Sequence, residues 1–202
     1  LRFQETEYQV INSTKDYFAA LKKEGIQLDH VVRKENIKLQ IEALAKSVGG
    51  EIKEDDELLQ EITHLVEAPY AILGTFEEAH LSLPPEVLVT VMKKHQRYFP
   101  IYKDGSLLPN FITVRNGNEQ HADIVAKGNE AVVKARFADA AFFVEEDRKQ
   151  KLEEYLPRLD TLTFQFKLGS MLDKSQRIKK IVSELAPTLN LPTDDLAIAE
   201  RA

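Results

Sequence analysis

RYFPIYKDGSLLPNFITVR, Arg97–Arg115, is the stretch that decides the fold. RYFPIY and NFITVR are short runs of aromatic and β-branched residues, the composition of half-buried strands. KDGSLLP joins them, and Asp104-Gly105 within it is a turn signal. Upstream, YAILGTF (Tyr70–Phe76) is a continuous apolar run just after Pro69, which predicts a buried third strand. The expected class is α+β: a small, mostly antiparallel sheet flanked by helices.

The flanks carry helical spacing. Phe3 to Val10 alternates loosely and predicts a strand, after which Asn12-Ser13-Thr14 caps a helix that stops at Gly25. A second helix is expected from Asp29 to Ser47, with Ile37, Ile41, Leu44, Ala45 and Val48 inside and Gly49-Gly50 as its stop. Asp55-Asp56 cap a third, burying Leu58, Leu59, Ile62, Leu65 and Val66 before Pro69 closes it. Pro84-Pro85 open EVLVTVMKKH, with Val87 and Val91 and then Leu88 and Met92 as inward candidates.

Beyond the sheet, Asn129 is expected to cap a helix over Asn129–Asp147 with a wide apolar stripe through Val132, Val133, Phe137, Ala140, Ala141, Phe143 and Val144. Helix is expected to continue to Leu159, then a β-branched TLTF, then a helix after Gly169-Ser170. TDDLAIAERA starts a last helix that Ala202 cuts, as expected of an excised fragment. The boundary is placed between Tyr155 and Lys167, giving an α+β domain over 1–160 and the beginning of a helical domain over 161–202.

The 202 residues are 43% apolar and 30% charged, values that exclude collagen-like or disordered chains. With no Cys there are no disulfides and no thiolate zinc sites, and a reducing, cytoplasmic location is expected. No apolar run approaches the roughly 20 residues a bilayer requires, so no membrane partner is expected. His30, His64, His80, His95 and His121 form no zinc-protease pair, and no His-Asp dipeptide, P-loop, G-x-G-x-x-G or G-x-S-x-G occurs. Neither a metal site nor a catalytic residue is expected.

A net charge of −6 argues against a uniformly basic surface, yet the charge is segregated. Thr90–Arg136 holds Lys93, Lys94, Arg97, Lys103, Arg115, Lys127, Lys134 and Arg136 against four carboxylates, a local +4 that leaves −10 elsewhere. Such a middle can meet an anion. KKHQRYF (Lys93–Phe99) sets cations beside His95 and Tyr98, groups that bind phosphate and stack on bases. The plainer alternative makes Tyr98 and Phe99 core residues and the charges an ordinary surface. Arg115, Lys134 and Arg136 stand under the same two readings. Lys174, Arg177, Lys179 and Lys180 read as a polar helix face.

Four ordered blocks add a resemblance. LVEAPYAILGTFEEAHLSLPPEVLVTVMKKHQRYFPIY (Leu65–Tyr102), FITVRN (Phe111–Asn116), GNEAVVKARFADAAFFVEED (Gly128–Asp147) and FQFKLGSMLDKSQRI (Phe164–Ile178) closely resemble the beta subunit of bacterial heterotetrameric glycyl-tRNA synthetase. The resemblance implies a fragment of that subunit's N-terminal region. Its fold would be similar to the editing-type domain of the phenylalanyl-tRNA synthetase beta subunit, followed by the start of an all-helical HD-like domain. It also implies a subunit of a class II glycine-tRNA ligase. ATP and magnesium would act on the separate alpha subunit of an alpha2beta2 assembly, with no cofactor in this fragment. Its partners would be that alpha subunit and tRNA(Gly).

The leading expectation is therefore a non-catalytic piece that supports tRNA binding. Lys93, Lys94, Arg97, Arg115, Lys134 and Arg136 would contact phosphate, with His95 and Tyr98 stacking or orienting. The alternative is a structural module contacting sibling domains or the alpha subunit. A third, a hydrolytic editing site, lacks any nucleophile or metal set to perform it.

Overall fold

A computed structural model describes residues 10–202. The strand expected over Phe3–Val10 lies outside these except for its last residue. The chain divides into two compact units, Leu1–Val144 and Glu145–Ala202.

In the first unit three capped helices precede the sheet. α1 (Thr14–Lys23), α2 (His30–Ser47) and α3 (Asp56–Leu65) start at Ser13, Asp29 and Asp55, whose side-chain oxygens accept first-turn N–H groups. Those donors have no partner inside a helix, so a short oxygen-bearing side chain fixes where each begins. Ile37, Ile41 and Ala45 keep one stripe of α2 buried, as their spacing predicts. Leu65 departs from expectation and is exposed.

The sheet has β1 (Pro69–Thr75), β2 (Phe99–Lys103) and β3 (Ser106–Asn116) in the order β1-β3-β2, all antiparallel. Asp104 (φ +50°) and Gly105 (φ +81°) make the two-residue turn between β2 and β3, whose positive dihedrals match the strand twist. SLLP, expected as part of the connection, is the start of β3. Pro109 is tolerated because it lies beyond the residues β1 pairs with and beside the irregularity between Pro100 and Tyr102. Gly74 faces Phe111 across the β1–β3 ladder, and a Cβ on Gly74 would fall on the Phe111 ring.

Alternation sends neighbouring residues to opposite faces. Phe99, Ile101 and Ile112 pack with Ile37, Ile41, Leu59 and Ile62 of α2 and α3. Tyr98 and Phe111 face the other way, toward Leu88, Met92, Val133 and Phe137. The sheet is thus a middle layer between two helical ones.

Both sheet edges are covered. On β1, Gln40 of α2 accepts from the Ala71 N–H and donates to the Pro69 carbonyl, while the Thr75 N–H donates to the Glu130 carboxylate. On β2, Glu51 and Tyr102 exchange two backbone hydrogen bonds of 2.7 and 2.9 Å. Covering unpaired strand edges removes a template for foreign strands.

The second helical layer differs from the sequence expectation. α4 (Pro85–Thr90) runs into a π-helical turn, Val91–His95, and its fully buried residues are Leu88 and Met92 rather than Val87 and Val91. α5 (Ala122–Arg148) begins well before Asn129, so Asn129 lies inside it and caps nothing. Gly128 costs an exposed helix about 1 kcal/mol, which burial of Val133 and Phe137 outweighs. The wide buried stripe is absent: Phe142 and Phe143 are exposed.

The second unit holds the end of α5, α6 (Leu152–Tyr155), a 3₁₀ turn over Leu156–Thr161, a hairpin of β4 (Thr163–Gln165) and β5 (Gly169–Ser170), α7 (Met171–Leu185) and α8 (Thr193–Arg201). Ser170 and Asp173 form a reciprocal capping box for α7. Ile178, Ile181 and Leu185 of α7 stay about half exposed. The division between the units falls inside α5.

Candidate nucleic-acid interface

KKHQRYF occupies the π turn and the step into β2. A π turn inserts one residue into the helical repeat and re-aims the side chains around it. Here Tyr98 N–H donates to the Met92 carbonyl and Arg97 N–H to the Lys93 carbonyl, closing the helix. Arg97 itself adopts φ +57°, the left-handed region that usually takes glycine at a helix end.

That geometry turns two candidate cations toward α3. Lys93 Nζ lies 2.6 Å from Asp55 Oδ2, and Arg97 pairs with Glu61; both acids belong to the start or body of α3. Asp55 also accepts the Leu58 N–H at 3.0 Å as the α3 cap. Burial opposes its charge, but the Lys93 ammonium and the Leu58 N–H outweigh burial and hold its carboxyl below the ordinary range. Lys93 and Arg97 fasten the π turn to α3.

Tyr98 is a core residue, only 5% exposed, which removes it from the stacking groups expected at the surface. Its ring stacks on Phe111 at 4.8 Å between centroids, and its hydroxyl donates to Asn129 Oδ1 at 3.1 Å. Burial pushes its phenol above the ordinary value. The alternation of Tyr98 and Phe99 to opposite faces is the reason: both are anchors of the middle layer.

The remaining candidates scatter. Lys134 of α5 pairs with Glu77 at 2.6 Å, and Arg115 of β3 donates to the Gln120 carbonyl at 3.0 Å. Lys94 and His95 on the π turn and Arg136 on α5 are exposed and make no side-chain hydrogen bond or ion pair among the described residues. The structure therefore gathers Lys93, Lys94, His95 and Arg97 on one turn and leaves Arg115, Lys134 and Arg136 on other elements.

Residues that sequence reasoning missed are the acidic partners. Asp55 was legible as a cap, but its pairing with a lysine 38 positions away leaves no local trace. Glu61, Glu77 and Asn129 are likewise fixed only by tertiary contact. Among the described residues no three His, Asp or Glu side chains gather as a metal-ligand set. No helix among them is long and apolar enough to cross a membrane.

A family model described as "Glycyl-tRNA synthetase beta subunit" matches residues 1–202. The protein named "Glycine--tRNA ligase beta subunit" of Clostridioides difficile (strain 630) is 49% identical over 181 residues, which cover 90% of this chain and 26% of that protein. Its namesakes in Trichodesmium erythraeum (strain IMS101) and Bacillus subtilis (strain 168) are each 45% identical, over 198 and 193 residues, covering 95% of this chain and 28% of theirs. The chain spans about a quarter of the length of these relatives.

Proposed function

The chain belongs to the glycyl-tRNA synthetase beta subunit family, and from that premise we propose that it supports tRNA(Gly) binding for aminoacylation carried out at the active site of a separate alpha subunit. In this reading the ligase is a class II, cytoplasmic, alpha2beta2 enzyme that uses ATP and magnesium on its alpha subunit, and this portion is non-catalytic. What carries the reading is the surplus of exposed cations in the middle of an acidic chain. Among the described residues, Lys94, His95 and Arg136 are the members of the candidate set without a side-chain partner, and these would meet the phosphate backbone. Lys93, Arg97 and Lys134 act indirectly, by holding the π turn and α5 in place.

The experiment is a tRNA(Gly) titration of the assembled synthetase at several salt concentrations. Replacing Lys94 and Arg136 by alanine should weaken binding broadly and lower the salt slope by roughly one for each cation removed from a phosphate. An unchanged affinity and slope would sink this assignment.

The alternative is an assembly module that meets sibling domains or the alpha subunit through protein contacts. The internal ion pairs of Lys93, Arg97 and Lys134 and the burial of Tyr98 favour it. Loss of alpha-subunit association with intact tRNA affinity, after changes at Lys94 and His95, would select this reading.

A further inference from the structure

We propose that the tip of the β4–β5 hairpin is a stacking platform for an unpaired nucleotide of RNA, with Phe166 as the platform and Lys167 and Lys174 as its phosphate neighbours. The proposal rests on the tRNA reading above, but uses a different surface, in the second unit.

Phe166 is 93% exposed, an unusual state for a phenylalanine. It is also held outward by a fastened turn. The Leu168 N–H donates to the Gln165 carbonyl at 2.8 Å, the Lys167 N–H donates to Gln165 Oε1 at 2.7 Å, and Gly169 takes φ +80°. Gln165 thus locks the reversal from both its backbone and its side chain. One strand residue back, the Phe164 ring lies 4.6 Å from Lys174 Nζ, which ties the hairpin to the N-terminal part of α7.

Charge selects the occupant. Thr163–Lys180 holds Lys167, Lys174, Arg177, Lys179 and Lys180 against one carboxylate, Asp173, which is bound up in the α7 capping box, while Glu184 just beyond the segment lies 3.9 Å from Lys180. This is +4 within 18 residues, a denser excess than that of the Thr90–Arg136 segment. The centres of protein–protein interfaces are depleted in lysine, whereas surfaces for unpaired nucleotides combine an exposed aromatic ring with cations that track the backbone. Tyr98 cannot supply such a ring, because it is buried; Phe166 can.

The test is tRNA(Gly) titration of the full-length beta subunit in the assembled synthetase, with Phe166→Ala, Phe166→Leu, Phe166→Trp and Lys167→Ala. At such exposure none of these should move the unfolding midpoint. Loss of one stacked base predicts about 5- to 150-fold weaker binding for Phe166→Ala with the salt slope unchanged. Phe166→Leu should fall with Ala, Phe166→Trp should bind like the unaltered protein, and Lys167→Ala should lower the slope by about one. Binding of Phe166→Ala equal to the unaltered protein overturns the proposal, and so does Phe166→Leu acting like phenylalanine, which would mark an apolar protein contact. If the Lys94 and Arg136 changes weaken binding while Phe166→Ala does not, the hairpin platform alone fails. If neither set does, the wider tRNA reading fails with it.

Discussion

Lys93 Nζ and Asp55 Oδ2 stand 2.6 Å apart across 38 residues of sequence, with only 29% and 19% of their side chains exposed. The bond joins the π turn to the first turn of α3, and Asp55 serves both ends because it also caps that helix.

Asp55→Asn keeps a capping oxygen and removes the charge, so it should cost about 1 kcal/mol; Asp55→Ala removes the cap as well and should cost about 2 kcal/mol. Lys93→Ala should cost no more than Asp55→Asn, and the double variant Lys93→Ala, Asp55→Asn should cost less than the two added together. Urea unfolding of the four proteins reads this cycle directly.

Acid should erase the difference. The folded carboxyl of Asp55 lies below its ordinary value of 3.8. Its contribution to stability is therefore complete above that value and disappears as pH falls through the lower folded one. The gap between the protein and Asp55→Asn should be constant from about pH 5 to 7 and narrow progressively as the pH falls below about 4. A gap that does not narrow at all as the pH falls from about 4 would show that the charge is not its source.

Arg97 presents two opposed effects. Its left-handed backbone costs a non-glycine residue roughly 1 kcal/mol, while its exposed pair with Glu61 returns at most about that. Arg97→Gly should be near neutral, Arg97→Ala mildly destabilising, and Arg97→Val the worst, since a β-branched residue tolerates positive φ least. Thermal unfolding orders the three.

Tyr98→Phe should cost about 1 kcal/mol for the hydroxyl bond to Asn129, and Tyr98→Ala about 3–5 kcal/mol for the missing ring. Neither change should alter the salt slope of tRNA binding. A slope change in Tyr98→Phe at full stability would return this residue to the proposed RNA surface.

Gly74→Ala should destabilise by about 1–3 kcal/mol, because the new methyl meets the Phe111 ring. Adding Phe111→Leu should recover part of that loss, a non-additivity that unfolding of the double variant would reveal.

Much of the architecture was written in local patterns. Asp29 and Asp55 are short acceptors immediately ahead of helical periodicity, and Ser170 opens α7 beside Asp173, so these helices start where the sequence predicts. Asp104-Gly105 encoded the hairpin for the same kind of reason, since its backbone demand is local. Asn129 misled because Gly128-Asn129 has the composition of a helix start, yet Asn129 is held within α5 by the Tyr98 hydroxyl from another layer. SLLP misled because Asp104-Gly105 marks a turn without marking how soon the strand resumes, and Pro109 finds room beyond the β1 pairing and beside the ladder irregularity. For the candidate surface, residue type identified cations but not which were neutralised. Asp55, Glu61 and Glu77 reach Lys93, Arg97 and Lys134 from 38, 36 and 57 positions away.

Gln40 and Glu130 at one rim of the sheet and Glu51 at the other leave the described strands with little backbone to offer a newcomer. Edges capped in this way disfavour recruitment of a neighbour's strand and the stacking that seeds fibres. Whatever engages this unit must recognise it by the shape and charge of its side chains, so its binding choices can be altered by single substitutions while the scaffold beneath stays the same.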